Sequence, residues 1–312
     1  ISLGKTTPVP TVRMVRELQS IVSEITAEEN AKASVPEVVA FWYYDYVLSW
    51  LVPLARRINS IADKDLRAVF QVALSATARD VMLTYRGEVR LRKLRDVDQV
   101  RFRPVVLNAF RRRVELAIDR VGKLPKAASI DVRWEDCRNL ASVKAYDVVI
   151  TSPPYGDDKN GVGYFQFSRN MLHFLGHSLD EIKSARAFFL GISSDPVPAN
   201  WIPPQSLSAY LVHIEARSKR LHHEAQRFYF DYYCALKRLV EVTKERIIIV
   251  TGDRVLGRTF IDNGRITLEM LESLGCPLEH YYSREIKKKR IANLGGDGGQ
   301  ISREHILVHR CA

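Results

Sequence analysis

The chain has 312 residues, of which 46% are hydrophobic, enough to bury the core of one large or two ordinary domains. No run approaches the apolar length that crosses a bilayer, and residues 1–5 lack the pattern of a signal peptide, so we expect neither a membrane nor a secreted protein. The formal charge of +11 favours a polyanionic partner.

Cysteine usage favours a reducing compartment. The four cysteines are Cys137, Cys234, Cys276 and Cys311, and none of them has CxxC spacing. This spacing predicts neither a zinc site nor a disulfide framework. We therefore expect a cytoplasmic protein without a metal site.

The first 125 residues are predicted to be helical. Apolar residues recur at helical spacing over residues 11–28, 38–61, 66–85 and 106–121, with a break expected near Pro53. The second stretch is rich in aromatic residues, which at this density form core more often than they stack on bases. We expect a helical, basic region over residues 1–126.

Two basic segments are candidates for contact with phosphates. Between Arg86 and Lys126 there are thirteen basic and five acidic residues, and a second cluster extends from Arg284 to Arg290. Basic clustering attracts a nucleic-acid backbone, although a solvated helix face or loop is the alternative. The candidate residues are Arg111, Arg112, Arg113, Lys287, Lys288, Lys289 and Arg290.

The pattern changes at about residue 127 to that of an α/β region extending over 127–312. Short β-branched runs at 129–134, 146–150 and 246–250 predict strands buried on both faces of a parallel sheet. Residues 280–286 and 305–309 are expected to pair as a hairpin across a glycine-rich loop.

A proline-rich segment lies inside this region. Residues 176–225 contain Pro196, Pro198, Pro203 and Pro204 and few regular apolar repeats. Segments of this kind are usually functional covers or mobile linkers. We interpret it as a lid or target-recognition insert.

The sequence Thr-Ser-Pro-Pro-Tyr at residues 151–155 directly follows the second predicted strand. It would therefore lie at the carboxyl edge of a sheet, where open α/β folds bind ligands. The prolines remove two amide donors and leave the carbonyls of Ser152 and Pro153 as acceptors for an exocyclic amino group. Tyr155 offers a flat surface for an extruded base. An ordinary turn is the alternative interpretation.

These residues resemble the catalytic motif of the amino-group DNA methyltransferases, which transfer a methyl group from S-adenosylmethionine to an exocyclic nitrogen of cytosine or adenine. In that family Ser at the first motif position is typical of N4-cytosine enzymes, so Ser152 indicates cytosine. Residues 151–157, followed by Tyr-Phe-Gln-Phe-Ser-Arg at 164–169, are similar to one N4-cytosine branch.

The resemblance implies an α/β fold with a Rossmann-like methyltransferase sheet, a helical amino-terminal segment and a terminal antiparallel hairpin. It also implies a restriction-modification enzyme that acts on a cytosine flipped out of double-stranded DNA. The implied catalytic residues are Ser152, Pro153, Pro154 and Tyr155.

The resemblance also implies a contact to the methyl donor. Asp136 follows the first predicted strand, at the position where the family has an acidic residue that accepts from the adenine amino group of S-adenosylmethionine. Asp also caps helices readily, and one residue can do both.

The chemistry needs neither a metal nor a covalent intermediate, because the donor is a sulfonium. The chain then has to hold the acceptor nitrogen in line with the methyl carbon. Ser152 would act as an orienting acceptor, which localises charge on nitrogen as the new bond forms.

A glycine-rich donor-binding loop is missing from its expected place. The family pattern is a strand, Asp-Pro-Phe-x-Gly-x-Gly, and a helix, whereas the dense glycine cluster at 295–299 precedes a strand and lacks the Phe. Residues 5–8 resemble the segment that comes after the donor-binding strands, so we expect that the chain begins partway through the fold. The missing glycine loop has three possible explanations. The chain is trimmed, the loop is in a preceding region outside this sequence, or a second chain carries the motif. If the chain is alone, the side of the sheet meant for the missing strands should be exposed, with unburied apolar strand edges, and the chain should be unstable or inactive.

Three functions stay open at this point. The first is N4-cytosine methylation, and the second is methylation of adenine in DNA or of a base in RNA. The third is a non-catalytic nucleic-acid-binding subunit of a split methyltransferase. Ser152 argues against adenine, and the basic segments do not separate DNA from RNA. Residues 251–253 are expected at the same sheet edge, without an assigned role.

Overall fold

The computed structural model describes residues 2–87, 90–121, 123–124, 129–141, 144–157, 159, 163–193, 195–286 and 303–311. Lys287, Lys288, Lys289 and Arg290 lie outside these residues, so their contacts with phosphates stay a prediction.

The chain divides into two compact units. The first contains Ile1–Arg86, Arg90–Arg133 and Tyr164–Ser184, and the second contains Gly87–Val89, Trp134–Gly163 and Ala185–Ala312. In this grouping Tyr164–Ser184 belongs with the helical part, and the predicted domain boundary at residue 126 stays a prediction.

The first unit is helical. Its helices are α1 (Ser2–Thr6), α2 (Thr11–Glu24), α3 (Glu37–Ala40), α4 (Asp45–Asn59), α5 (Lys64–Asp80), α6 (Asp96–Gln99), α7 (Val106–Val121), α8 (Tyr164–Phe174) and the start of α9 (Leu179–Arg186). The helices predicted from the spacing of apolar residues over 11–28, 66–85 and 106–121 are confirmed, with α2 and α5 ending earlier. None of the described helices is long and apolar enough to cross a membrane.

The break predicted near Pro53 is wrong. Helix α4 continues through Pro53, and the chain instead leaves the helical conformation between α3 and α4. A proline inside a helix leaves the carbonyl four residues earlier without its usual amide partner. That carbonyl, of Ser49, accepts from the backbone N–H of Glu28 at 2.9 Å, so its hydrogen bond is replaced.

The core of the first unit is made by the apolar faces of these helices. Its fully buried side chains include Met14, Ile21, Leu48, Leu51, Leu54, Ile58, Phe70, Leu74, Phe110 and Val114. Trp42, Tyr44 and Trp50 pack against this core, as predicted for most of the aromatic residues, whereas Phe41 and Tyr46 are exposed.

The second unit is mixed α/β. Its strands are β1 (Tyr146–Thr151), β2 (Thr243–Gly252), β3 (Arg254–Leu256), β4 (Thr259–Ile261), β5 (Leu278–Glu285) and β6 (Arg303–Arg310), and its further helices are α10 (Gln205–Glu215), α11 (Lys219–Val242) and α12 (Asn263–Ser273). The order of the main sheet is β1-β2-β6-β5, with β3 and β4 forming a separate pair. β1 and β2 are parallel, and the other pairs are antiparallel. The predicted terminal hairpin is confirmed as β5 and β6.

The strand predicted at residues 129–134 is wrong, since these residues form no strand in the structure. Ile130, Val132 and Trp134 are 47%, 42% and 74% exposed. Strand propensity reflects packing against neighbouring strands and a covering layer. This segment has the composition of a strand but lacks that cover.

The two faces of the main sheet differ in burial. The core face carries Ile247, Ile249 and Leu307, which are fully buried in one core with side chains of α10, α11 and α12. The exposed face carries residues that belong to neither described core, namely Val148, Ile150, Ile248, Val250, Ile306 and Val308. The expected uncovered apolar edge is present at β1, where Val148 is 44% and Ile150 is 70% exposed.

The proline-rich segment is partly ordered into helices α9 and α10. Trp201 packs against Phe230 and Tyr233 of α11, and the Gly191 N–H donates to Asp231 at 2.8 Å. These contacts hold part of the segment against α11. Its role as a lid or target-recognition insert stays a prediction.

Two cysteines meet in the second unit. The Sγ atoms of Cys276 and Cys311 lie 2.6 Å apart, and both side chains are buried. The spacing argument could not foresee this contact, because it depends on β6 ending beside the loop after α12.

Candidate functional site

The Ser-Pro-Pro-Tyr corner follows β1 at the carboxyl edge of the sheet, as predicted. Because Thr151 lies beside Ile249 of the parallel strand β2, the motif and the end of β2 share this edge. Asn263, at the start of α12, joins the two. Its Nδ2 donates to the carbonyls of Tyr155 at 2.9 Å and Gly252 at 2.6 Å.

Asn263 is itself held in place. It is buried, and its Oδ1 accepts from the hydroxyl of Tyr229 at 2.6 Å. A buried amide with its donors and acceptor satisfied fixes the groups around it. No local pattern in the sequence identifies this residue.

The Tyr155 side chain is fixed from a third strand. Its hydroxyl donates to Glu304 Oε1 at 3.1 Å, and the second carboxylate oxygen of Glu304 accepts from Arg284 Nε at 2.6 Å. Glu304 lies on β6 and Arg284 on β5. The half-buried ring predicted to stack on a base is therefore positioned by the terminal hairpin.

The residues after the motif are held by a buried ion pair. Asp157 is 1% exposed, and its Oδ2 accepts from Arg254 Nη2 at 3.2 Å. Gly156 lies flat against this guanidinium, and a Cβ at that position would come within 2.5 Å of Arg254 Nη1. Glycine is therefore the residue that fits between the corner and the ion pair.

A second polar group lies just beyond β2. His305 Nε2 is 2.9 Å from Asp253 Oδ1, and its Nδ1 is 2.7 Å from the Tyr281 hydroxyl. Burial raises the pKa of Asp253, although the neighbouring His305 opposes this effect. Asp253 belongs to residues 251–253, for which the sequence predicted the sheet edge but no role.

This group contains the one cluster among the described residues that could hold a metal ion. Ligand atoms of Asp253, Asp262 and His305 all lie within 4.8 Å of one another. His305 uses both ring nitrogens in hydrogen bonds, to Asp253 and Tyr281, and Asp262 accepts from the Arg265 N–H at the start of α12. Each of the three side chains thus already has a hydrogen-bond partner, and Asp262 is not bonded to the other two.

Asp136 is held as a cap. It accepts from the Arg138 N–H at 2.9 Å at the start of a short 3-10 turn, Cys137–Asn139. Both carboxylate oxygens also accept from the Arg138 guanidinium, at 2.6–3.0 Å. Burial alone would raise the pKa of Asp136, but the hydrogen bonds from Arg138 lower it. The contact with the methyl donor stays a prediction.

The three arginines of α7 have different surroundings. Arg113 donates to both oxygens of Asp80, at 2.6 and 2.7 Å. Arg111 and Arg112 are exposed and have no ion pair with another described residue. Two of the three predicted phosphate-binding residues are thus accessible, and their role stays a prediction.

Comparisons with known proteins are consistent with the motif. No protein-family model matches the chain, and no solved structure matches it. The chain is 26% identical to the Type II methyltransferase M.MvaI of Kocuria varians over 342 aligned residues, covering 99% of this chain and 74% of that protein. This similarity supports a relationship to the DNA methyltransferases that the Ser-Pro-Pro-Tyr motif resembles.

Proposed function

We propose that the chain is the catalytic part of a site-specific DNA methyltransferase of a restriction-modification system, acting in the cytoplasm. It transfers a methyl group to the exocyclic N4 of a cytosine flipped out of double-stranded DNA. The observation that carries this proposal is the placement of Ser-Pro-Pro-Tyr after β1, with the Tyr155 carbonyl held by Asn263 and its hydroxyl by Glu304. The similarity to a Type II methyltransferase supports the same reaction class.

The acceptor side of the reaction follows from this corner. The carbonyls of Ser152 and Pro153 accept hydrogen bonds from the cytosine amino group, and the Ser152 hydroxyl offers a further acceptor. The amino nitrogen would bond to the methyl carbon as the bond from that carbon to the sulfonium sulfur breaks. These acceptors stabilise the positive charge that develops on the nitrogen, and the N–H proton that it then loses would pass to water. The Tyr155 ring stacks on the flipped base. Its fixed orientation reduces the entropy lost when the base is bound.

S-adenosylmethionine would supply the methyl group as a sulfonium. The described residues provide an incomplete site for it, because they contain no strand, glycine loop and helix in that order and because Asp136 is bonded to Arg138. We therefore assign this chain the acceptor side and derive no step from a donor geometry. The proposal includes a Rossmann-like sheet that is completed by a donor-binding segment, in the same polypeptide or in a second chain.

Two other functions are alternatives to N4-cytosine methylation. A non-catalytic DNA-binding subunit of a split methyltransferase is the alternative if Asp136, which accepts from Arg138, does not also contact a donor. Adenine in DNA or a base in RNA is disfavoured by Ser152 at the first motif position.

The test is mass spectrometry of nucleosides from duplex DNA incubated with S-adenosylmethionine and the chain, alone and with a chain that supplies the glycine motif. N4-methylcytosine is the expected product. N6-methyladenine would instead indicate an adenine methyltransferase. No methylated base under either condition, with DNA binding retained, would favour the non-catalytic subunit.

Variants of Tyr155 test the role of the corner. Tyr155→Ala should reduce transfer about 10- to 100-fold because base stacking is lost. Tyr155→Phe keeps the ring and loses only the bond to Glu304, so its loss should be smaller. Tyr146→Ala, at a 43% exposed position of the preceding strand β1, is the control. Equal rates for Tyr155→Ala and the control would remove the stacking role.

A further inference from the structure

Two neighbouring pockets lie at the amino-terminal end of α7 in the helical unit. One has a volume of about 530 Å³ and is lined by Arg103, Pro104, Val105, Asn108, Arg111 and Arg112. The other has a volume of about 310 Å³ and is lined by Tyr46, Trp50, Pro104, Val105, Val106, Leu107 and Asn108. The shared residues Pro104, Val105 and Asn108 make the two pockets contiguous. We call them the arginine pocket and the aromatic pocket.

The arginine pocket is suited to an anion. Three guanidinium groups line it, and no carboxylate does. Arg103 is oriented by bonds to the Gln99 carbonyl at 3.2 Å and the Tyr44 hydroxyl at 3.4 Å. Arg111 and Arg112 are exposed and form no ion pair with a described residue. Arginine binds phosphate oxygens in a fork geometry, so such a cluster selects phosphate over smaller anions.

Arg113 provides a contrast on the same helix. Its guanidinium is bonded to Asp80, which neutralises it and holds α7 against α5. Asp80 also pairs with Arg86. The three consecutive arginines thus divide into one that stabilises the fold and two whose charge is free to meet a ligand.

The aromatic pocket is suited to a flat, weakly polar group. Its rim carries Val105, which is 57% exposed, and Tyr46, which is 44% exposed. Tyr46 is stacked on Tyr44, with ring centroids 5.4 Å apart, so its orientation is fixed. Exposed apolar groups that border a charged pocket are typical of a binding surface. Aromatic side chains of this kind stack on bases irrespective of sequence.

A larger cavity of the same unit is less favourable for an anion. It has a volume of about 910 Å³, and its charged lining residues are four acidic and two basic, namely Glu28, Glu29, Glu37, Asp45, Lys32 and Lys93. Four carboxylates repel a polyanion at short range. The arginine pocket, which no carboxylate lines, is therefore the more favourable of the two for a phosphate.

We propose that the arginine and aromatic pockets together bind one nucleotide of the DNA substrate, its phosphate among Arg103, Arg111 and Arg112 and its unstacked base against Tyr46 and Trp50. The choice of DNA rests on the proposed function. The site shares no residue with the Ser-Pro-Pro-Tyr corner and receives a different nucleotide from the target cytosine.

The phosphate half is tested by the salt dependence of binding. Fluorescence anisotropy of a labelled DNA duplex is measured with the full chain and with Arg111→Ala/Arg112→Ala over a range of salt concentrations. Loss of two phosphate contacts should lower the slope of log affinity against log salt by roughly 1.8 and the affinity at least about tenfold at low salt.

The matched control is Arg16→Ala/Arg120→Ala. These arginines are also exposed, Arg16 on α2 and Arg120 at the far end of α7, and their removal changes the net charge equally. The slope of this control should stay close to that of the unchanged chain. Equal slopes for the two double variants would overturn the phosphate site.

The base half is tested by Val105→Asp, which places a carboxylate between the two pockets. Val105 immediately precedes α7, and its carbonyl accepts from the Ala109 N–H, so Asp there is a favourable helix cap and should not unfold the chain. Binding of DNA with one unpaired base should weaken at least about tenfold relative to Val97→Asp, a control at a 66% exposed valine. Equal affinities for the two Asp variants would overturn the aromatic half.

Trp50 supplies a direct signal. The fluorescence of Trp50 is the part of the emission that disappears in Trp50→Phe. DNA with an unpaired base should change this fluorescence more than fully paired DNA does. An equal fluorescence response to duplex RNA would overturn the assignment to DNA.

These binding experiments do not depend on methyl transfer. If the nucleoside assay finds no methylated base while the binding results are as expected, the proposed function is rejected and the nucleotide site is retained.

Discussion

The two faces of the main sheet carry similar side chains and have different surroundings. On the core face, Ile247, Ile249 and Leu307 are fully buried in the core that includes α11 and α12. On the exposed face, Ile150 is 70% exposed. A run of Ile and Val such as residues 247–250 has no polar side and is typical of a strand covered on both faces. The sequence of these strands thus suits two covering layers, and the described residues provide one.

The corner at the end of β1 is held from both faces of the main sheet. Asn263 begins α12, which packs on the core face, whereas Glu304 of β6 has the same register parity as Ile306 and Val308 on the exposed face. We expect the exposed face to receive a further layer in the active enzyme, of the kind that the proposed donor-binding segment would supply. Measurements on matched variants can show whether the two faces differ in solution as they do in the structure.

The largest expected effect is on stability. Ile249→Ala on the core face should lower the free energy of unfolding by about 2–5 kcal/mol because it leaves a cavity. Ile150→Ala on the exposed face should change it by less than about 0.5 kcal/mol. Urea unfolding of the two variants measures both values. Equal losses would mean that the exposed face is covered by other parts of the chain.

A smaller effect is expected on acid stability. Burial lowers the pKa of His309, which is on the core face and whose Nδ1 is 2.8 Å from the Cys276 carbonyl. Below the ordinary value of 6.5, the unfolded chain binds a proton that the folded chain resists, so stability is full above this pH and falls below it.

His309→Gln should therefore flatten the fall in unfolding free energy between neutral and acid pH. His280→Gln, at an exposed position of β5, should leave the fall unchanged. Urea unfolding at a series of pH values provides the measurement. If the unfolding free energy of both variants depends on pH as it does in the unchanged chain, burial of His309 does not cause this dependence.

The smallest effect concerns thiol reactivity and leaves stability unchanged. Burial and the contact with Cys276 raise the pKa of Cys311 to about 12. Only the thiolate is an effective nucleophile, so Cys311 should react slowly with iodoacetamide near pH 8 in the folded chain. Cys137, which is exposed, serves as the internal comparison.

Peptide mass spectrometry after timed alkylation should find Cys137 labelled first and Cys311 labelled only after unfolding. Labelling of both at one rate in the folded chain would contradict the burial of this part of the core face.

The sequence predicted elements where the local pattern agrees with the packing. Helix α7 was identified because its apolar periodicity matches its burial. Strands β1 and β2 were identified from their β-branched runs, but the predicted burial on both faces was wrong for β1, whose residues are exposed or half-buried. The strand at 129–134 was wrong because its composition is that of a strand while its neighbours in space are missing. The break at Pro53 was wrong because Glu28 replaces the lost hydrogen bond from a distant part of the chain.

The candidate site was predicted only in part for a related reason. The Ser-Pro-Pro-Tyr motif is local and could be read directly. The groups that hold it are distant in sequence, since Tyr155 and Glu304 are 149 residues apart and Asp157 and Arg254 are 97 residues apart. Arg113 was grouped with Arg111 and Arg112 because its partner Asp80 lies on another helix.

The position of β1 has a consequence for folding. Among the described strands β1 pairs with β2 alone, and helices α8 to α11 lie between the two strands in the chain. Closing so long a loop costs entropy before any pairing is gained, and parallel strands cannot begin from a hairpin. The hairpin of β5 and β6 and its pairing with β2 have shorter loops to close. We therefore expect the Ser-Pro-Pro-Tyr corner to be the last part of the sheet to assemble and, with one neighbouring strand among the described residues, the first to open.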